Sequence, residues 1–320
     1  MISASAKNLI ILISNVGNRY DPADFVDIGN RAAAYANDVR VYVISDEVPS
    51  NSLPKGIWEF PTLTVAFNKK SAFIPPLGRL IYNHKIEKLE QARILRLAGI
   101  PIPHCEIFKP GMTLDPAIWG DIALLKPAPL DATSHGDNIQ IFHRSNLTAM
   151  ETGNFPPGHF VRRSQMIVQR FIDTGKFPCK YRVLTLCGEV LYAQFRKLVE
   201  PRPDLVSSDE VLQSAQIATS GGSCQYFHDD YPDVVELAKR VAGAFPNVPL
   251  LGVDIVRDFI SNELYVLEVN AGGNTWHFSS KLWAERRRQY PKVAEEAKTQ
   301  YNAFDTAARA LVGATRRWAS

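Results

Sequence analysis

Residues 9–13, Leu-Ile-Ile-Leu-Ile, form an uninterrupted apolar run, and this run restricts the fold more than any other segment. A strand that is apolar on both faces has to be covered on both faces, which is typical of parallel sheets. Turn-forming residues follow at 14–18, then a helix-prone stretch at 23–37 and a second apolar strand at 39–44. This order predicts a βαβ unit and therefore an α/β fold. The loop after the first strand carries the lone Gly17 and lacks the G-x-G-x-x-G spacing of a dinucleotide site.

The composition is that of an ordinary globular protein of 320 residues, with 46% hydrophobic and 22% charged residues. A formal net charge of +3 produces no long-range field, so we expect neither nucleic acid nor a membrane as a partner. The 4 cysteines lack C-x-x-C spacing, which predicts reduced thiols and a cytoplasmic location. The apolar run near the N-terminus is too short to span a bilayer.

The distribution of prolines and of helical spacing predicts where the chain divides. Prolines make 46–82 rich in loops, and a helical pattern over 83–98 ends at Gly99, so we place a first boundary near residue 82. Most of the segment from 120 to 200 has the pattern of strands joined by turns. The predicted units are an N-terminal α/β domain (1–82), a central subdomain (83–165), a C-terminal subdomain (166–290) and a helical tail (291–320).

Two neighbouring apolar strands near the C-terminal end carry acidic side chains. In the strand at 264–270, Glu268 and Asn270 lie on one face because alternate side chains point the same way, and the preceding strand contains Asp254. Burying an unpaired carboxylate costs several kcal/mol, so these acids need partners. A divalent cation with oxygen ligands, such as Mg²⁺, is one explanation, and ion pairs with Arg257 or Lys239 are another.

Two earlier segments have patterns that suit a nucleotide. Lys126 ends an apolar strand before a loop of small and polar residues, where its ammonium could meet a phosphate and the loop's N–H groups could close over it. The strand at 167–172 runs into a turn and could present backbone groups to a flat base. The same two patterns would also result if Lys126 were an ordinary surface residue and the strand at 167–172 were only part of the core.

Together and in this order, the three segments resemble the ATP-grasp superfamily, and most closely ligases of the glutathione synthetase and ribosomal-protein glutamate-ligase kind. That family closes with a G-V-D strand and a strand ending in E-V-N, as Gly252-Val253-Asp254 and Glu268-Val269-Asn270 do here. The resemblance runs from about residue 83 to residue 274. It implies an ATP-grasp fold of the α/β (α+β) class, in which an N-terminal βαβ domain precedes two α+β subdomains that clamp ATP.

The resemblance also implies roles for individual residues. Lys85 and Lys126 would bind the ATP phosphates, and the loop 129–139, with His135 and Gly136, would be a mobile flap over them. The remaining nucleotide-binding positions would be Gln169, Arg170 and Phe171 along the adenine and Asp173 at the ribose. The metal ligands would be Asp254, Glu268 and Asn270, holding Mg²⁺ or, alternatively, Mn²⁺. Arg182 and Arg196 would be catalytic, since they match arginines that neutralise phosphate charge.

The activity implied by the resemblance is the joining of a carboxylate to an amine through an acyl phosphate, with release of ADP and phosphate. A small-molecule or peptide carboxylate and an amine acceptor would be the partners. A small-molecule kinase on the same scaffold and a non-catalytic nucleotide-binding regulatory protein are the alternatives. The tail, with Leu311 and Trp318, could cover the chain's own core or a second subunit, which leaves a homo-oligomer open.

The sequence departs from the family pattern at two places near the expected substrates. Lys180 stands where the family's D-x-R strand has an acid, and residues 271–277 replace the Pro-Gly turn of near relatives. The second segment borders the acceptor site in such enzymes. Substrate specificity therefore does not transfer from the family to this chain.

Overall fold

The strands form a parallel sheet and two antiparallel sheets in a computed structural model that describes residues 6–14, 19–67, 73–129, 139–151, 153, 155, 157–158, 160–214, 216–219, 222–272 and 275–320. Helices cover the faces of these sheets, and short loops connect most of the elements. The mixed α/β class predicted from the sequence is therefore confirmed. Within the described ranges, no helix combines the length and the apolar character needed to cross a bilayer.

The N-terminal unit is a parallel sheet in the order β2-β1-β3-β4. Its elements are β1 (Lys7–Ile13), α1 (Pro22–Tyr35), β2 (Val39–Ser45), β3 (Thr62–Ala66) and β4 (Arg79–Tyr82). Asp21 caps α1 by accepting a hydrogen bond from the N–H of Ala23 (3.0 Å), and Pro22 occupies the first turn. The predicted βαβ unit is confirmed, and β3 and β4 are short elements within the proline-rich segment 46–82.

The central unit is an antiparallel sheet in the order β5-β8-β6-β7. Its elements are α2 (Lys88–Leu97), β5 (Cys105–Ile107), α3 (Pro116–Trp119), β6 (Ile122–Pro127), β7 (Gln140–His143), α4 (Arg144–Ala149) and β8 (Met166–Arg170). Helix α2 begins at Lys88 rather than at residue 83, and it ends before Gly99, whose φ of 64° suits glycine. The strand β8 begins at residue 166, which was predicted to open the C-terminal subdomain, but it pairs with β5 and β6 and so belongs to the central sheet.

The third sheet has the order β11-β10-β9-β12-β13 and is antiparallel. Its elements are β9 (Cys179–Leu186), β10 (Glu189–Leu198), α5 (Asp209–Gln213), β11 (Cys224–Phe227), α6 (Pro232–Ala244), β12 (Leu250–Arg257) and β13 (Leu264–Asn270). Helix α6 covers one face, where Val234, Leu237 and Val241 pack with apolar residues of β9, β10 and β12. The other face carries the polar residues described in the next section.

The C-terminal helices close the structure against its own N-terminal sheet. They are α7 (Ala284–Gln289), α8 (Pro291–Thr299) and α9 (Ala303–Trp318). Helix α9 packs against α1 and β10, and Leu311 is fully buried in the core that these elements share. The buried Trp276 adds a second tie, because its ring lies 4.7 Å from that of Phe25 and its Nε1 donates to Asp24 (2.7 Å).

A buried amide joins the N-terminal sheet to the third sheet. The side chain of Asn83 donates to the carbonyl of Leu250 (2.7 Å) and accepts from the N–H of the same residue (3.1 Å). Leu250 is the first residue of β12, the strand that also carries Asp254. Both backbone groups of Leu250 would lose their partner if the amide were removed.

We expect Asn83→Ala to lower the free energy of unfolding by about 3 kcal/mol, because it leaves one buried donor and one buried acceptor unsatisfied. Urea denaturation followed by far-UV circular dichroism measures the change. The matched control is Asn247→Ala, which removes an exposed amide bonded to Arg79 (2.8 Å) near the same junction. Equal effects of the two variants would contradict the structural role of Asn83.

Candidate active site

The face of the third sheet that lies opposite α6 carries a row of polar side chains. The strand pairings place Arg182 of β9 opposite Gln194 of β10 and Asp254 of β12, and Asp254 opposite Glu268 of β13. Because side chains alternate along a strand, residues two positions away share the face. They are Lys180 and Leu184 on β9, Tyr192 and Arg196 on β10, Gly252 on β12 and Asn270 on β13.

Asp254 is the buried anion at the centre of this face. Its side chain is 2% exposed, and its two oxygens lie 3.0 Å from Lys180 Nζ and 2.9 Å from Arg182 Nε. Burial by itself raises the pKa of the carboxyl, but Arg182, Lys180 and Arg196 outweigh it and lower the pKa to about 2. The sequence had suggested Arg257 or Lys239 as partner. Arg257 pairs with Asp233 instead (2.6 Å).

Three cations surround this single carboxylate. Arg196 lies opposite Lys180 in the ladder, 3% exposed, and burial together with the nearby Arg182 lowers its pKa to about 10. Among the described residues, Nη1 of Arg182 has no hydrogen-bond partner. A buried surplus of positive charge is unfavourable without an anion. The arrangement is therefore that of an anion-binding site in which Asp254 supplies only part of the negative charge.

Gly252 makes room for the arginine of this site. A Cβ atom at Gly252 would lie 2.7 Å from Nη1 of Arg182 and 2.6 Å from a side-chain carbon of Thr275. The glycine therefore allows the guanidinium to lie flat across β12. This gives a physical reason for glycine in the Gly-Val-Asp segment.

Glu268 and Asn270 lie side by side at the edge strand β13. Asn270 Nδ2 donates to Glu268 Oε1 (3.1 Å), and both side chains are partly buried. A carboxylate and an amide oxygen suit Mg²⁺, and rotating the amide would turn its oxygen toward the carboxylate. Asp254 was the third predicted metal ligand, but its two oxygens already contact the cations of Lys180 and Arg182. The described residues contain no cluster of three or more His, Cys, Asp or Glu side chains of the kind that holds a metal.

Apart from this polar face, a pocket lies between α2, the central sheet and β13. Its empty volume is about 380 Å³, including its opening, and the residues lining it are Lys88, Gln91, Ala92, Leu95, Ile102, Pro103, Cys105, Lys126, Ile167, Gln169, Val266 and Leu267. Lys126 Nζ donates to Gln169 Oε1 (2.5 Å), and Lys88 Nζ donates to the carbonyl of Pro127 (2.8 Å). Apolar walls with two ammonium groups at one side suit a flat base with an attached phosphate chain.

The lysine that joins Lys126 in this pocket is Lys88, which the sequence analysis did not single out. Burial lowers the pKa of both ammonium groups, that of Lys88 to about 8. Lys85 is exposed and is not among the residues that line the pocket. The start of α2 is the sequence signal that distinguishes the two lysines, because Lys88 is the first residue of the helix and Lys85 precedes it.

The other residues predicted to contact the nucleotide do not all lie in this pocket. Gln169 lines the pocket, whereas Arg170 lines a separate cavity with His104 and Tyr265. Phe171 packs beside Ile122, and the backbone N–H groups of Arg170 and Phe171 already donate to carbonyls of His104 and Ile122.

Of the three residues Asp173, His135 and Gly136, predicted at the ribose and in the flap, the structure describes Asp173 only. Both carboxylate oxygens of Asp173 accept hydrogen bonds from Arg202 (2.8 and 2.9 Å), so a ribose would have to compete with that guanidinium. His135 and Gly136 of the predicted flap lie outside the described residues.

The comparisons give structural neighbours only, since no protein-family model and no curated protein sequence matches the chain. One neighbour is D-alanine–D-alanine ligase from Bacillus anthracis, 14% identical, with 98% of each chain covered and a TM-score of 0.46. Another is the ATP-grasp ligase PsnB complexed with a minimal precursor, 15% identical over 96% of this chain and 99% of that one, with a TM-score of 0.49.

A third neighbour is the macrocyclase MdnC bound with precursor peptide MdnA from Microcystis aeruginosa MRC. It is 11% identical over 96% of this chain and 99% of that chain, with a TM-score of 0.49. Because the identities are low and the TM-scores lie below 0.5, the function is inferred from this chain's own residues.

We expect Lys88→Met to weaken ATP binding on the order of 30-fold, because it removes a charge-assisted contact to phosphate. Isothermal titration calorimetry with ATP measures the effect. Lys85→Met is the matched control and should change the affinity less than about threefold, since an exposed lysine outside the pocket adds only screened attraction. A larger loss in the Lys85 variant than in the Lys88 variant would contradict this assignment.

The depressed pKa of Lys88 also predicts how nucleotide binding depends on pH. Burial is its main cause; the Lys126 ammonium lowers the pKa further, while Glu268 and Glu87 act in the opposite direction. The ammonium is present below about pH 8 and is lost above it, so ATP affinity should fall as pH rises from about 7 to about 9.5. ATP titrations across this range measure it. The Lys88→Met variant should lose the part of this dependence that Lys88 contributes, and an identical pH profile in both proteins would contradict the role of Lys88.

Proposed function

We propose that this chain is an ATP-dependent ligase that joins a carboxylate to an amine through an acyl phosphate. The observation that carries the proposal is the buried surplus of positive charge formed by Lys180, Arg182 and Arg196. This surplus shares a sheet face with Glu268, which lies beside the pocket of Lys88 and Lys126. A phosphate chain entering from the pocket would extend over β13 toward the cations.

In the first step, an oxygen of the substrate carboxylate attacks the γ-phosphorus of ATP. The bond between that phosphorus and the β–γ bridging oxygen breaks, and ADP leaves with the electron pair. Such a transfer needs alignment and charge neutralisation more than a covalent contribution from the protein. Lys88 and Lys126 would hold the phosphates, while Lys180, Arg182 and Arg196 would hold the carboxylate and the arriving phosphoryl group.

In the second step, the amine nitrogen attacks the acyl carbon. The bond from that carbon to the phosphate oxygen breaks, phosphate leaves with the electron pair, and the nitrogen loses a proton that the released phosphate can carry. The cations that bound the carboxylate now bind the leaving phosphate, whose negative charge is larger. The same three side chains would therefore serve both steps.

Asp254, Glu268 and Asn270 would have two different tasks in this mechanism. Asp254 would hold Lys180 and Arg182 in position, since its oxygens contact both. Glu268 and Asn270 fit Mg²⁺, or Mn²⁺ in its place, because their oxygens are of the kind both cations prefer. Bound there, the metal would supply positive charge beside the phosphates.

The decisive experiment measures ADP and phosphate release from Mg-ATP with a matrix of carboxylates and amines, using mass spectrometry to identify products. We expect ADP release to require both partners and an amide to form. A stable phosphorylated product formed with one partner would identify a kinase instead. ATP binding without ADP release under any combination would favour a nucleotide-binding regulatory protein.

A variant pair belongs to the same experiment. Glu268→Gln should lower turnover by about 100-fold at unchanged protein stability, because it removes the charged member of the metal-binding pair. Glu263→Gln, at an exposed position just before the same strand, is the matched control and should retain turnover. Equal turnover in the two variants would contradict the metal-binding role of Glu268.

A further inference from the structure

The polar sheet face ends in an aromatic cavity on the side away from the nucleotide pocket. Most of the roughly 420 Å³ of empty space around it is open to solvent, and the enclosed part is much smaller. The walls come from β10, β11 and the segment from 277 to 297 and are mainly aromatic and apolar. The residues that form them are Tyr192, Tyr226, Phe278, Trp283, Tyr290 and Ala294. None of these residues has a task in the mechanism described above.

Arg196 forms the boundary between this cavity and the cation cluster. Its guanidinium carbon lies 4.4 Å from the ring centroid of Trp283, and its strand partner on β11 is Tyr226. Its Nη2 lies 3.5 Å from Nδ1 of His277, whose ring packs on Trp283 at 4.1 Å between centroids. Two residues of the cavity wall, Trp283 and His277, therefore contact Arg196 of the cation cluster.

Two further arginines line the cavity and hold its walls. Arg286 donates to the hydroxyl of Tyr226 (2.5 Å), and Arg287 donates to the carbonyls of His277 (2.9 Å) and Ser280 (2.8 Å). The first contact holds the ring of Tyr226, and the other two hold the backbone at His277 and Ser280. The two arginines also add positive charge around an apolar space, so a cationic guest is disfavoured although aromatic rings alone can attract cations.

We propose that this cavity binds the side chain of the substrate carboxylic acid, and that this side chain is aromatic or bulky and aliphatic. The ring or branched chain would fill the space between Tyr192, Tyr226 and Trp283. The carboxylate would then lie over Arg196 and Lys180, within reach of the phosphoryl group. The assignment of this acid as the reacting partner rests on the ligase function proposed above.

Charge complementarity is the reason for placing the acid here rather than the amine. A protonated amine would enter an apolar cavity surrounded by Arg196, Arg286 and Arg287, where its charge is repelled and desolvated. An acid with an apolar side chain matches both the cavity and the cation cluster, since the cavity excludes water from the side chain and the cations bind the carboxylate. The structure therefore favours an amphipathic anion.

Direct binding tests this proposal without any turnover. Calorimetric titrations with ADP and Mg²⁺ present would compare 3-phenylpropionate, propionate and 3-phenylpropanamide. We expect phenylpropionate to bind at least about tenfold tighter than propionate, from burial of the ring, and at least about tenfold tighter than the amide, from its charge. Propionate binding as tightly as phenylpropionate, or the amide binding as tightly as the acid, would overturn the proposal.

A filled cavity provides the matched variant. Ala294→Phe on α8 places a ring inside the cavity and should remove the preference for phenylpropionate over propionate, while ADP affinity stays unchanged. Glu295→Phe places the same ring on an exposed neighbouring position of α8 and should keep the preference. A preference that survives Ala294→Phe at full strength would show that the ring binds elsewhere and would overturn the proposal.

The outcomes separate this proposal from the ligase function. Phenylpropionate binding as expected, with no amide formed with any amine, would count against the ligase and leave the cavity assignment intact. Amide formation with no preference for a ring-bearing acid would support the ligase and overturn the cavity assignment.

Discussion

The contact on which the site depends is the buried carboxylate of Asp254 between Lys180 and Arg182. Removing one partner from a buried ion pair typically costs about 3–5 kcal/mol, because the other charge stays buried and unpaired. Here the balance is uneven from the start, since Arg196 adds a third cation to one carboxylate. Lys180 is one of these three cations, and its Nζ lies 3.0 Å from Asp254. Its presence turns this part of the sheet face toward binding anions.

The third sheet sets the spacing of the whole site. Its period of two places Arg196 and Gln194 on one face of β10, and antiparallel pairing aligns them with Lys180, Arg182 and their neighbours on the next strands. The face therefore changes from aromatic at β11, through cationic at β10 and β9, to acidic at β13. Helix α6 fills the opposite face with apolar packing, which fixes the strands that carry these groups.

Local patterns were enough to predict the βαβ unit and the shared face of Glu268 and Asn270, because each depends on residues close in sequence. Contacts between distant segments were not predictable in this way. The Lys180–Asp254 pair joins residues 74 positions apart, and its existence depends on the strand order β9-β12. The resemblance implies Lys85 as a phosphate ligand, whereas the lysine that lines the pocket is Lys88, the first residue of α2. The short strands β3 and β4 were hidden among prolines.

The aromatic cavity and the cation cluster would contribute to a reaction in different ways. The cavity would contact an unreactive side chain, which is the same in the substrate, the acyl phosphate and the transition state, so it would add uniform binding. The cations of Lys180, Arg182 and Arg196 would face a growing negative charge as a carboxylate becomes an acyl phosphate. Their attraction therefore increases along the reaction, which is the kind of binding that accelerates a chemical step. Arg196 touches both regions and would link substrate selection to phosphoryl transfer.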